Sequence, residues 1–171
     1  MKSVLISIRP KWCELIASGK KTIEVRKTYP KLPRPFKCYI YCTKDARNAD
    51  KLLVPTEYHF RGYGKIIGEF VCDYIDMAQW EHITGYAGWN IGWTEKSCLT
   101  NDELATYAGK NDIIYGWHIS DLKIYDNPRE LSEFVNGSSR LEFSKTKDGL
   151  QWKWSGMKKP PQSWCYVEEM P

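Results

Sequence analysis

The chain has 171 residues, 42% of them hydrophobic and 27% charged, with a formal net charge of +4, which is enough for one domain with a proper core and short for two. No apolar run approaches the roughly 18 residues of a spanning helix, and Met1-Lys2-Ser3-Val4 leads into a strand pattern rather than a signal-peptide core, so a cytoplasmic protein with no membrane partner is expected. Six cysteines without any sign of secretion read as reduced thiols. Cys38 and Cys42, spaced C-x3-C with no second pair, read as small buried side chains, and His59, His82 and His118 are scattered, so no metal site is expected.

The net charge hides an asymmetry. Residues 1–44 carry eleven Lys or Arg against Glu14 and Glu24, a balance of +9 that leaves −5 for the remainder. Such a segment suits an anionic partner, nucleic acid first, with dispersed solubilising charge as the alternative.

Taken in order, residues 3–9 alternate as a strand buried largely on both sides and ending at Arg9. Pro10 opens a helix of about two turns, with Trp12, Leu15 and Ile16 on one face and Gly19 as its C-cap. The chain then enters Lys20-Lys21-Thr22-Ile23-Glu24-Val25-Arg26. On a strand, Ile23 and Val25 anchor one face, while Thr22, Glu24 and Arg26 line the other; the alternatives are a binding or catalytic surface and a charged edge-strand face.

Residues 27–35 hold three prolines, basic side chains and Tyr29, and read as an extended loop. Residues 38–42 form a strand that carries Tyr39 and Tyr41 and runs out at Lys44. Arg61-Gly62-Tyr63-Gly64 reads as a turn. Lys65 to Ile75 reads as one strand, interrupted by Glu69, whose carboxylate calls for a basic partner such as Lys21 or Arg26. Residues 77–99 show no period and read as an irregular aromatic loop packed as a lid.

Thr100-x-x-Glu103 is a capping box for a helix that carries Leu104, Tyr107 and Ala108 on one face and ends at Gly109. Residues 113–125 read as one or two strands, Asn127-Pro128 as the start of a short helix through Phe134, and Lys147-Asp148-Gly149 as a hairpin tip before the strand 150–154. A last strand lies in the tail. The expectation is one α+β domain over 1–171, a small β-barrel of about six strands with short helices around it, an aromatic loop near 77–99 and a hairpin-like insertion near 136–155.

The pattern Ile8-x-Pro10-Lys11-Trp12-x-x-Leu15-Ile16-x-x-Gly19-x-Lys21-Thr22-x-Glu24-x-Arg26 resembles the signature of the ASCH domain, of the PUA-like superfold. Tyr39-Ile40-Tyr41-Cys42-Thr43-Lys44, Gly68-Glu69-Phe70, Trp117-His118-Ile119-Ser120-Asp121-Leu122 and Pro161-Gln162-Ser163-Trp164-Cys165-Tyr166 extend the likeness to small ASCH proteins of Gram-positive bacteria and their phages. The resemblance implies a PUA-like curled barrel, with a cleft beside the first helix that binds RNA or a nucleotide.

Two functions are open. In the first, the protein binds single-stranded RNA or a modified nucleotide without a cofactor; the candidates are Arg9, Lys11, Lys20, Lys21, Arg26 and Lys44 for phosphate, Tyr29, Tyr41 or Trp117 for stacking, and Ser163 of the tail motif. In the second, Lys21 is a general base or nucleophile, oriented by Glu24 or Glu69 and assisted by Thr22. Two enzyme branches of the superfamily frame that alternative. One is an amidohydrolase on N4-acylated cytidine, which has a threonine where Glu24 stands here; the other is a metal-dependent ribonuclease, for which Glu24 and Glu69 would offer oxygen ligands to Mg²⁺ or Mn²⁺.

Overall fold

The computed structural model describes residues 2–44, 63–79, 92–111, 113–146 and 149–169. Arg61 and Gly62, the greater part of the aromatic loop and the hairpin tip at Lys147 and Asp148 lie outside the described residues. In chain order the elements are β1 (Ser3–Ile8), α1 (Pro10–Ala17), β2 (Ile23–Arg26), β3 (Phe36–Cys42), β4 (Ile66–Cys72), β5 (Ile75–Gln79), α2 (Trp93–Ser97), α3 (Asn101–Ala108), β6 (Ile113–His118), β7 (Ser120–Arg129), β8 (Phe134–Val135), β9 (Leu141–Thr146), β10 (Gly149–Trp154) and β11 (Trp164–Glu169). The chain divides into two compact units, one of residues 1–10, 38–69 and 123–171, the other of residues 11–37 and 70–122.

The first unit is organised by β1, a central strand buried along its whole length, apolar except for Ser3 and Ser7, of which Ser7 Oγ donates to Pro161 O at 2.7 Å. β1 pairs in parallel with β3 and antiparallel with β11, within a six-stranded sheet of order β7-β4-β3-β1-β11-β8. Leu5, Tyr39, Tyr41, Ile66, Phe134 and Val167 belong to one apolar cluster of this unit. Among the described residues no closure of the sheet into a barrel is seen; the fold is a sheet-rich α+β arrangement with few helices.

The second unit is built on the three-stranded antiparallel sheet β2-β6-β5. Its register sets Glu24 opposite Trp117 and Arg26 opposite Tyr115, and Met77 of β5 opposite that same Tyr115. Ile23 and Val25 therefore point to the other face, where they join Ile114, Ala78, Trp93, Leu104 and Ala108 in a core. α3 begins with the expected capping box, Glu103 N donating to Thr100 Oγ1 at 3.1 Å and Thr100 N to Glu103 Oε2 at 2.9 Å.

Three expectations change. The strand expected over Lys65 to Ile75 is two, β4 and β5, broken at the exposed pair Asp73 and Tyr74, where the Tyr74 carbonyl accepts from His118 N. Asn127-Pro128 opens no helix: β7 continues to Arg129, and only a 3-10 turn, Leu131–Glu133, follows. β7 stands at the end of the sheet order, where a proline removes no needed ladder bond. Within 77–99, residues 93–97 form α2, pinned by buried Trp93. No helix among the described residues is long and apolar enough to cross a membrane.

Gly116 sets how closely α2 approaches the sheet, because a Cβ there would meet Ile23 Cγ2 at 2.8 Å and Trp93 Cζ2 at 2.9 Å. Gly116→Ala is expected to lower stability by about 1–3 kcal/mol through overpacking. Gly137→Ala, with nothing within 4 Å of its new methyl, should stay within about 0.5 kcal/mol. Urea unfolding midpoints check this, and equal midpoints would contradict the close packing.

Candidate functional site

The site starts at the end of α1. Gly19 adopts φ +73, a conformation glycine takes without a Cβ clash, and Lys21 N then donates back to Leu15 O at 2.9 Å. This turn brings the chain to the C-terminus of α2, whose last carbonyls need donors. Thr22 N donates to Lys96 O at 2.8 Å, and Lys21 Nζ to Ser97 O at 2.7 Å. A cation is favoured at that helix end. Lys21 also lies 5.2 Å from the centroid of the Trp12 ring, on α1.

Beyond this anchor, Glu24 stands between two cations. Its Oε2 is 3.4 Å from Lys21 Nζ, and its Oε1 is 2.9 Å from an Arg26 Nη. All three are buried, with 2%, 6% and 9% of Lys21, Glu24 and Arg26 exposed. Glu24 Oε2 accepts no hydrogen bond among the described residues. Tyr107 of α3 adds a phenol beside the Arg26 guanidinium; burial pushes that phenol above its ordinary range, while Arg26 opposes the shift.

Next to Arg26 across the sheet, Tyr115 pairs with Tyr29 of the proline-rich loop, ring centroids 4.7 Å apart. The two tyrosines line a groove of about 310 Å³ with Lys31, Arg34 and Met77. Tyr29 is 49% exposed and Met77 58%, so the groove offers ring faces and cations to solvent. Arg34 also lies 5.9 Å from the Tyr74 ring centroid, and Tyr74 packs edge-on against His118, which bonds Asp76 at 2.8 Å.

Of the residues singled out from sequence, Lys21, Glu24 and Arg26 come together, and Tyr29 lines the adjoining groove. Thr22 is exposed and joins the site only through its backbone. Lys11 and Lys20 are exposed, with Lys11 Nζ 4.4 Å from the Trp12 ring centroid. Trp117 is not a stacking face: it is fully buried and meets Phe36 edge-on. Tyr41 is likewise buried, in the core of the first unit.

Arg9, Lys44, Ser163 and Glu69 belong to the first unit. Arg9 and Lys44 are exposed, and the Ser163 carbonyl accepts from Ser7 N at 2.9 Å. Glu69 finds its partner in Tyr125, whose hydroxyl donates to Oε2 at 2.5 Å; burial, and then that carboxylate, push the Tyr125 phenol up. The acid-base pairing expected of Glu69 with Lys21 or Arg26 is met instead by Glu24. Several site residues escaped the sequence reading, Tyr115 of the groove among them. Ser97 acts through a backbone carbonyl that carries no sequence signal, Trp12 reads as helix core, and Tyr107 reads as one more residue of an apolar helix face, although a tyrosine there needs a hydroxyl partner.

The oxygen ligands expected for a ribonuclease-type metal are Glu24 and Glu69. Glu24 and Glu69 lie in different units and are each engaged by other groups, and no cluster of three or more His, Cys, Asp or Glu suited to a metal occurs among the described residues.

Comparison with known proteins gives a consistent picture. No curated protein matches the chain. A crystal structure of ASCH from Zymomonas mobilis is similar with a TM-score of 0.54 and 19% identity, over 75% of this chain and 73% of that one. A crystal structure of a serine-to-alanine mutant of the Zymomonas mobilis protein gives 0.54 and 20%, over 88% of this chain and 87% of that one. The family model of the ASCH domain matches residues 6–123, a span that takes in α1, the Lys21–Glu24–Arg26 cluster and the groove beside it, and on that match the chain belongs to the ASCH domain family.

Proposed function

We propose that the protein binds single-stranded RNA, or a modified nucleotide within it, through the second unit. The observation that carries this reading is the groove of about 310 Å³ in which the Tyr29–Tyr115 ring pair meets Lys31 and Arg34 at the surface. The buried Lys21–Glu24–Arg26 cluster adjoins this groove through the β2–β6 register, which sets Arg26 opposite Tyr115. Lys21 and Arg26 leave the cluster with one positive charge in excess, which suits the anionic backbone of the same ligand. The Tyr29–Tyr115 pair supplies ring faces for an unstacked base, and Lys31 and Arg34 supply cations at the groove wall.

Hydrolysis by Lys21 is less well supported. The Lys21 amine is committed as a donor to Ser97 O and is paired with Glu24, and at 2% exposure it has no open approach to a substrate carbon. The Thr22 side chain lies on the surface, and position 24 carries a carboxylate bound to two cations. This arrangement favours recognition over turnover.

Two predictions separate recognition from mere structure. Glu24→Ala leaves two buried cations without their anion and should destabilise the fold by about 3–5 kcal/mol, whereas the triple change Lys21→Met, Glu24→Leu, Arg26→Met should be near neutral for stability. The same triple variant, folded by circular dichroism, should lose RNA affinity at least tenfold. Retained affinity would make the cluster a structural ion pair only.

At the groove, Tyr29→Ala should weaken binding of a short labelled single-stranded RNA by about 1–3 kcal/mol. Arg34→Ala should lower the slope of log affinity against log salt by about one. Anisotropy titrations at several salt concentrations measure both, and unchanged binding in both variants would place the RNA elsewhere.

A further inference from the structure

Beyond residues 6–123, which the family model matches, the hairpin β9–β10 has an unusual surface. Its register sets Phe143 opposite Trp152, Leu141 opposite Trp154 and Lys145 opposite Leu150, so five apolar side chains and one lysine share a single face. None of the five is covered: Phe143 is 54% exposed and Trp152 65%. Phe143 and Trp152 pack with centroids 4.9 Å apart and their planes tilted by 54°. An isolated two-stranded hairpin is only marginally stable in water, and a contiguous exposed apolar face of this size marks an interaction surface.

The hairpin is nevertheless firmly seated. Ser155 N donates to Arg140 O at 2.7 Å, Arg140 N to Ser155 Oγ at 2.9 Å, and Met157 N to Phe134 O at 2.8 Å. Gly156 lies so close to the Ser132 carbonyl that any Cβ would collide with it. A groove of about 390 Å³ beside these anchors is lined among others by Arg140, Glu142, Met157, Lys158 and Lys159, and Glu142 faces away from the apolar side in the strand register.

Charge selects the occupant. The described residues between 140 and 159 hold Arg140, Lys145, Lys153, Lys158 and Lys159 against Glu142, a balance of 5 − 1 = +4. Glu142 is matched by Lys158 at 3.8 Å. A second copy of the chain would bring the same cations against these, which argues against self-association. A polyanion with flat faces fits the apolar side, with rings for bases, Lys145 among them for phosphate, and the net positive charge of the hairpin to attract it. We propose that the β9–β10 hairpin is a second single-stranded RNA contact, with bases stacked on Phe143, Trp152 and Trp154 and phosphate held by Lys145 of the same face. The inference rests on the RNA-binding reading given above.

The test compares the wild type with Phe143→Ala/Trp152→Ala, with Lys145→Glu and with Tyr29→Ala of the second unit, using a labelled single-stranded RNA. Both hairpin variants change exposed side chains and should fold as the wild type does. The expected result is a loss of affinity of roughly tenfold or more in each hairpin variant, with quenching of tryptophan emission on RNA binding to the wild type that shrinks in Phe143→Ala/Trp152→Ala. Full affinity in both hairpin variants, with loss in Tyr29→Ala, would overturn the hairpin contact and leave the RNA reading standing. No RNA binding by the wild type at low salt would overturn both. A wild-type dimer in sedimentation that Trp152→Ala dissociates, or wild-type binding to anionic vesicles that the hairpin variants abolish while their RNA affinity is unchanged, would assign the face to another occupant.

Discussion

The second unit is arranged around one electrostatic constraint: the Glu24 carboxylate is buried and must be held between Lys21 and Arg26. Removing an ion from water costs several kcal/mol even after the protein relaxes, and mutual attraction offsets that only when geometry and hydrogen bonding are good. Here the compensation is uneven. Glu24 Oε1 receives the Arg26 guanidinium at 2.9 Å, Lys21 Nζ spends its short bond on a helix carbonyl, and Glu24 Oε2 keeps only a longer approach of 3.4 Å to the ammonium. An apolar trio of similar volume would satisfy a purely structural need at least as well.

Each neighbouring element contributes one part of that constraint. Gly19 lets the chain reverse after α1, the short helix α2 offers Ser97 O to Lys21, and β6 places Trp117 and Tyr115 across from Glu24 and Arg26. Gly116, with no side chain, allows Trp93 to close on the opposite face. The same register that buries the ions carries the face outward to Tyr115, Met77 and the Tyr29 loop, so the charged interior is continuous in sequence register with an open aromatic groove.

Much of this was legible from the residues. Strict alternation over 23–26 set Ile23 and Val25 against Glu24 and Arg26, and the Thr100–Glu103 box fixed the start of α3, because both signals are local and are not overridden by packing. Longer-range features were not legible. Glu69 reads as a carboxylate in need of a cation, but a tyrosine 56 positions away supplies its bond instead. Trp117 reads as a possible stacking ring, yet the strand pairing buries it, since burial depends on which strands meet rather than on the residue. Asn127-Pro128 carries a helix-start pattern that an outer strand accommodates, and the Ser97 carbonyl has no residue-level signature at all.

The central claim is that RNA lies in the groove next to the buried ions. Ultraviolet crosslinking of the wild-type protein to single-stranded RNA, followed by mass spectrometry of the peptides, tests it directly. Crosslinks are expected on the peptides that contain Tyr29 and Tyr115, reduced in the Lys21→Met, Glu24→Leu, Arg26→Met variant. Crosslinks confined to other peptides, or unchanged in that variant, would contradict it.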